Sequence, residues 1–217
     1  ELLLYTLMGF IAALASVGFS RMLYFSEDIW NLIRIPEPTK PILGGVLLGL
    51  LGIASYQIDG FPRVFGVGYE TIENTLFSQL TLQVTLGLLF LKLIATTLTL
   101  GSGGSGGIFA PSLFMGAMLG ASFGQIAQTL FPGIVSPSGA YALVGMAAFF
   151  SGAAHAPITA ILILYEMTGD YQIILPLMLA TVLSTIVSRN ISHDSIYTLK
   201  LKRRGVELSE DTQAIDL

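Results

Sequence analysis

Hydrophobic positions along this chain fall in long runs, not in the narrow stripes of a helix lying on a water-soluble core. Residues 2–19 are apolar and run out near Arg21 and Tyr24, which predicts a helix long enough to cross a bilayer. Residues 27–40 are polar and contain Pro36 and Pro38, so a loop at a membrane surface is expected there. Pro41 then suits a first helical turn, where its missing N–H costs nothing. Residues 42–56 are apolar and carry Gly44, Gly45, Gly49 and Gly52, small residues that let helices approach closely in lipid. Residues 57–79 are amphipathic, with Asp59, Arg63, Glu70 and Glu73, and read as interfacial. Residues 80–100 form another long apolar run, broken only by Lys92.

Past that run the pattern changes. A Gly/Ser stretch at 101–107 leads into an apolar segment at 111–131 and a turn at 132–137. Residues 138–150 and 157–167 are apolar but shorter than the ~20 residues a helix needs to cross the hydrocarbon. Residues 171–188 are long enough again, and 194–204 predict a polar helix carrying Lys200, Lys202, Arg203 and Arg204. Short apolar segments interrupted by Gly and Pro free backbone polar groups inside the membrane. Such groups are tolerated only where protein buries them or a cavity hydrates them, which points to a transport site. The expected architecture is all-α: a polytopic membrane protein with tilted and broken helices.

Composition strengthens the membrane reading. The 217 residues are 53% hydrophobic and 11% charged, with mean hydropathy +0.76. Soluble domains are about one-quarter charged. From Leu93 to Tyr165 there is no Asp, Glu, Lys or Arg, a distribution that suits lipid, where a charge at a helix centre costs about 2.5–3.5 kcal/mol. The net charge of −4 comes from the ends and loops and gives no sign of a nucleic-acid partner. Without cysteine there is neither a disulfide framework nor a thiolate metal site. No signal peptide is visible, and a chain opening at Glu1 directly into Leu2 is expected to be a piece of something longer. The basic cluster at 200–204, just past the last apolar run, places the C-terminal end on the cytoplasmic side by the positive-inside rule; a merely solvated tail is the alternative.

The candidate chemistry lies in Gly101–Pro111. A phosphate-binding loop would end in Gly-Lys-Ser/Thr, whereas Ile108 and Phe109 follow the glycines here. A flexible linker fits the composition, but this stretch joins two membrane helices. The third reading is an anion site at a helix N-terminus, where unpaired N–H groups and about half a positive charge converge. Glycines such as Gly107 present backbone amides without side chains in the way, and the amides of Ile108 and Phe109 would face a dehydrated anion. The absence of Lys or Arg in that stretch suits a conducted ion, since partial charges hold it weakly enough to release.

The sequence Gly107-Ile108-Phe109-Ala110-Pro111 resembles the Gly-x-Phe-x-Pro motif of CLC chloride channels and chloride/proton antiporters, and 106–124 is similar to the family's helix after that motif. Residues 156–161 and 165–176 are similar to its next two helices, and 195–205 resembles its last membrane-associated helix. The resemblance implies the C-terminal half of an inverted-repeat CLC transport domain over 1–205. Residues 206–217 would be a cytoplasmic tail or the start of a linker, ahead of the regulatory domain some members carry. It implies transmembrane transport of chloride or a similar small anion, as a voltage-gated-type channel or a proton antiporter, with no catalysis, cofactor or metal. Gly107, Ile108 and Phe109 would form the amide side of the central site, and Tyr197 would contribute its hydroxyl from the cytoplasmic side. From the residues alone Tyr197 reads as an interfacial belt tyrosine in preference to a ligand. The implied partners are the lipid bilayer, an N-terminal half of the same polypeptide and a second copy in a homodimer. The family's Gly-Ser-Gly-Ile-Pro and Gly-Arg/Lys-Glu-Gly-Pro motifs are absent from this chain.

Other residues carry weaker signals. Gly116, Gly120 and Gly124 share one helix face and read as packing. Glu166 stands between a structural and a functional role. His155 has no second ligand at metal spacing, and Lys92 is expected to snorkel or to face the interior. An intramembrane enzyme would need a Ser/His pair, paired aspartates or a zinc helix, and none is present; Asp170 is a lone acid. A cation-coupled symporter would share the broken helices, but cation sites draw on carbonyls and carboxylates, not on a helix N-terminus. A purely structural membrane domain would need no charge-free glycine break.

Overall fold

A computed structural model of the chain describes residues 1–169, 171–203 and 205–206, apart from the side chains of Ile58 and Asp59. Asp170, Arg204 and 207–217, on which parts of the lone-acid, basic-cluster and tail expectations rest, lie outside the described residues. The described chain is all-α: α1 Leu2–Leu32, α2 Lys40–Asp59, α3 Tyr69–Leu76, α4 Leu82–Gly101, α5 Phe109–Leu130, α6 Ser138–Ala154, α7 Pro157–Thr168, α8 Ile174–Ile191 and α9 Ile196–Arg203. Tight 3-10 turns at Glu37–Thr39 and Tyr171–Ile173 precede α2 and α8.

Five stretches are long and apolar enough to cross a membrane by length and composition: Leu2–Leu32, Glu37–Gln57, Leu82–Gly101, Phe109–Leu130 and Tyr171–Arg203. The helices α6 and α7, 17 and 12 residues long, are the short apolar pieces. At a rise of ~1.5 Å per residue neither spans the ~30 Å hydrocarbon layer. Between them His155 adopts φ +57 and closes α6, and Pro157 opens α7 in a new direction.

The first helix differs from expectation. Glu27 and Asp28 lie inside α1, which continues to Leu32 before Pro36 and Pro38 stop it. Beyond the apolar run, Leu23, Tyr24 and Trp30 keep one face of this extension buried, so its polar residues line the other side of the same helix. Tertiary contact overrides the local polarity that reads as a loop.

At the centre stands α6, buried on nearly every side and packed against α5, α8, α1 and α7; α4 lies across α5 and carries α2 on its outer side. The α5–α6 contact is backbone against backbone. A Cβ on Gly120 would sit 2.1 Å from the Tyr141 carbonyl oxygen, and one on Gly116 would sit 2.5 Å from that of Gly145. The glycine face read from sequence is therefore the seam of the bundle. Where α6 meets α8, Ser151 and Thr185 share a 2.6 Å hydrogen bond and Ser184 donates to the Ala148 carbonyl at 2.7 Å. Interhelical hydroxyls of this kind join helices where burying apolar surface offers little drive, because lipid is itself apolar.

Candidate anion site

The site grows from the way α4 ends. Its last carbonyls are capped locally: the Ser102 amide donates to Leu98, Gly103 to Leu100 and Gly104 to Thr99. Gly103 at φ +86 turns the chain out of the helix, a conformation that costs glycine little. From Ser105 to Ala110 no backbone amide finds an acceptor among the described residues; the next to do so is Ser112, which bonds the Ile108 carbonyl at 3.1 Å. Three of those free amides follow from helix geometry, since a first turn has no acceptors of its own. The others follow from a glycine stretch with no side chain to cap it. Ile108 offers no capping side chain, and the first turn of α5 contains no acid.

Side chains fix this backbone from behind. The Phe109 ring meets Phe150 edge to face at 5.0 Å. Ile108 packs against the apolar cluster that contains Phe19, Leu23, Tyr24, Met115 and Phe149. The two neighbouring residues then face different spaces. Phe109 and Gly107 line a cavity of about 510 Å³ that also touches Lys92, Thr96 and Ser105. Ile108 lines a much smaller one, about 20 Å³, bounded by Tyr24, Glu27 and Lys200. The head of α5 thus borders both cavities, through Gly107 and Phe109 on one and Ile108 on the other.

Tyr197 sits in the first turn of α9, 45% exposed, and lines neither cavity. Its hydroxyl makes no hydrogen bond among the described residues. Its neighbour Ile196 is buried in the same apolar cluster as Ile108, and the Tyr24 hydroxyl donates to the Ile196 carbonyl. Ser195 and Thr198 cap the start of α9 reciprocally, each backbone amide donating to the other's hydroxyl. Gly107, Ile108 and Phe109 are therefore contiguous at one helix start. The start of α9 shares the apolar cluster that Ile108 packs against, and the Tyr197 hydroxyl is unbonded among the described residues.

Tyr24 is a residue that sequence reading passed over; nothing in its local pattern marks a partner 172 positions away. Lys92, left between two fates, turns inward. It is 3% exposed, donates to the carbonyls of Val64 at 3.0 Å and Gly66 at 2.6 Å, and lies 4.8 Å above the Phe114 ring. Thr96, one turn further along α4, was also unmarked. Glu166 is exposed, and the His155 carbonyl accepts from Arg189 at 3.3 Å. Among the described residues no cluster of His, Cys, Asp or Glu is disposed to hold a metal ion.

Broken apolar helices around a run of unpaired amides define a class: polytopic membrane proteins in which helices stop and start among the apolar spans. The family described as voltage gated chloride channel matches residues 1–189, and the chain belongs to it. A ClcB-like chloride channel protein from Ralstonia nicotianae is 34% identical over 203 residues, 94% of this chain and 46% of the relative. The voltage-gated ClC-type chloride channel ClcB of Salmonella typhimurium is 32% identical over 189 residues, 87% of this chain and 44% of the relative. Among solved structures, a slow cyanobacterial Cl-/H+ antiporter superposes with TM-score 0.80 at 27% identity, covering 94% of this chain and 47% of its own. A CLC-type fluoride/proton antiporter has the same fold, with TM-score 0.72 at 24% identity over 91% of this chain and 46% of its own. The chain spans about half the length of the relatives it matches.

Proposed function

We propose that this chain is the amide-bearing half of a transmembrane chloride pathway, working as a channel or as a chloride/proton exchanger, and that it carries out no catalysis. The observation that carries the reading is the run of unpaired amides from Ser105 to Ala110 at the head of a 22-residue helix, in a stretch free of charged side chains. About half a positive charge collects at such a terminus. It attracts an anion without the full charge that would slow its release. Ile108 and Phe109 donate to the ion, Gly107 gives it room, and the Tyr197 hydroxyl approaches from the α9 side. A symporter reading has no support here, since a cation would meet N–H groups where it needs oxygens.

The remaining ligands come from the other half of the polypeptide. A homodimer is supported by the outer face of α7 and α8, where Ile158, Leu162, Leu175, Met178 and Val182 are exposed. The cytoplasmic side is the α9 end, on the strength of Lys200, Lys202 and Arg203.

The test is a bromide-soaked crystal of the intact parent protein. Anomalous density within hydrogen-bond reach of the Ile108 and Phe109 amides is the expected result, with the Tyr197 hydroxyl closing on it. Ordered crystals at high bromide with nothing there would remove the anion reading.

A further inference from the structure

The last helix is tied to the bundle from one side. Among the described residues, the hydrogen bonds and ion pairs that leave α9 for another helix all go to the C-terminal end of α1. The Tyr24 hydroxyl donates to the Ile196 carbonyl. Arg203 pairs with both oxygens of Asp28, at 2.7 and 3.2 Å, and its guanidinium lies 4.8 Å above the Tyr24 ring. The facing sides follow from helical spacing: Ile196, Lys200 and Arg203 stand at i, i+4 and i+7 on α9, and Tyr24, Glu27 and Asp28 at i, i+3 and i+4 on α1. Lys200, Glu27 and Tyr24 line the small cavity beside Ile108.

The buried Ile196 roots α9 in the apolar cluster. One root would let an eight-residue helix swing. The second attachment, at Arg203, lies about 10 Å further along the axis, and two points that far apart fix a direction. Tyr197 stands between them with its hydroxyl unbonded, so its bearing is set by contacts its neighbours make. The length of α1 gains a use as well. Its 31 residues extend for about 46 Å, more than the ~30 Å of hydrocarbon requires, and the surplus turns carry Tyr24 and Asp28.

We infer that Tyr24, Asp28 and Arg203 are positioning residues, a two-point clasp between α1 and α9 that sets the direction from which the Tyr197 hydroxyl meets the ion at Ile108 and Phe109. The inference rests on the proposed anion pathway. Tyr24 is the joint between the two parts: its side chain lines the cavity beside Ile108, and its hydroxyl holds the residue before Tyr197. Apparent affinity falls in proportion to the fraction of molecules whose ligands are already in place. Loosening the clasp therefore weakens anion binding without removing any group that bonds the ion.

The test titrates bromide into crystals of the intact parent protein and follows occupancy of the anomalous peak at Ile108 and Phe109. Asp28→Asn removes one exposed ion pair, so folding is retained. It is expected to raise the bromide concentration for half-occupancy about twofold, and Tyr24→Phe with Asp28→Asn about fivefold. Asp28→Glu, which keeps the charge, should restore the parent's value. Both clasp variants are then read in a Tyr197→Ala background. There they are expected to shift nothing further, because the clasp has no hydroxyl left to aim. A merely structural role would give the same shift in either background, and that result overturns the inference. A parent-like half-occupancy in both clasp variants overturns it too and leaves the pathway standing. If the parent itself shows no peak at Ile108 and Phe109, the pathway reading falls and this one with it.

Discussion

Tyr24 shows how a single hydroxyl determines where a distant helix begins. Its bond to the Ile196 carbonyl ties the start of α9 to α1, and Arg203 lies 4.8 Å above the same ring while pairing with Asp28 at 2.7 and 3.2 Å. The two contacts differ in weight. The Tyr24 hydroxyl bond is buried, whereas the Arg203 and Asp28 side chains are 39% and 55% exposed. Tyr24→Phe is expected to lower stability by about 1 kcal/mol, the usual net size of one buried hydrogen bond. Asp28→Asn should cost less than about 1 kcal/mol. Unfolding of the purified protein in detergent separates them, and equal losses would contradict the burial argument. Lys92 makes the complementary point. Its inward position pins the 64–66 turn to α4, so Lys92→Met should lose about 1–3 kcal/mol from two carbonyls left unpaired.

At the scale of elements, the α5–α6 seam and the α6–α8 hydroxyls hold the bundle in different ways. The seam is steric. A Cβ at position 120 would stand 2.1 Å from a backbone oxygen, and backbone cannot rotate away as a side chain can. Gly120→Ala is expected to cost about 2 kcal/mol or more and to lower the unfolding temperature clearly, since the two helices must separate along their length. An unchanged unfolding temperature would mean that the seam is looser than drawn. The hydroxyls act pairwise. A double-mutant cycle of Ser151→Ala and Thr185→Val should give a coupling of about 0.6 kcal/mol, the usual size for such pairs in a bilayer. The seam was visible in the four-residue spacing of Gly116, Gly120 and Gly124. The partners on α8 were not, because a serine in an apolar helix bonds its own backbone as readily as a neighbour's.

For the whole molecule, the exposed faces matter most. Both flanks of α2 and the outer sides of α7 and α8 present large apolar residues such as Leu50, Ile53, Ile158 and Met178. Lipid would cover these faces, as would the other half of the polypeptide and the second subunit proposed above. The chain expressed alone is therefore expected to give no chloride flux in liposomes, and flux should return when the other half is co-expressed. Leu162→Lys, on the α7 face, should shift the intact protein from dimer to monomer in light scattering while leaving the bromide site of each subunit in place. An unaltered dimer would move the subunit contact elsewhere.

The sequence by itself determined the medium and the break. Long apolar runs without charge have no stable arrangement in water, and a glycine stretch with no side chain to cap a helix leaves amides free wherever the helix is placed. The candidate residues Gly107, Ile108 and Phe109 were legible for that reason: their chemistry is in the backbone and follows from local order. Tertiary structure alone decided the rest. It carried α1 past Glu27, because Tyr24 and Trp30 find cover in other helices. It turned Lys92 inward onto carbonyls 26 and 28 positions away. It set Phe109 and Ile108 against different cavities and left Tyr197 half exposed. Each of these depends on which surfaces meet across the bundle, and hydrophobic periodicity records only that a surface is apolar, not what it touches.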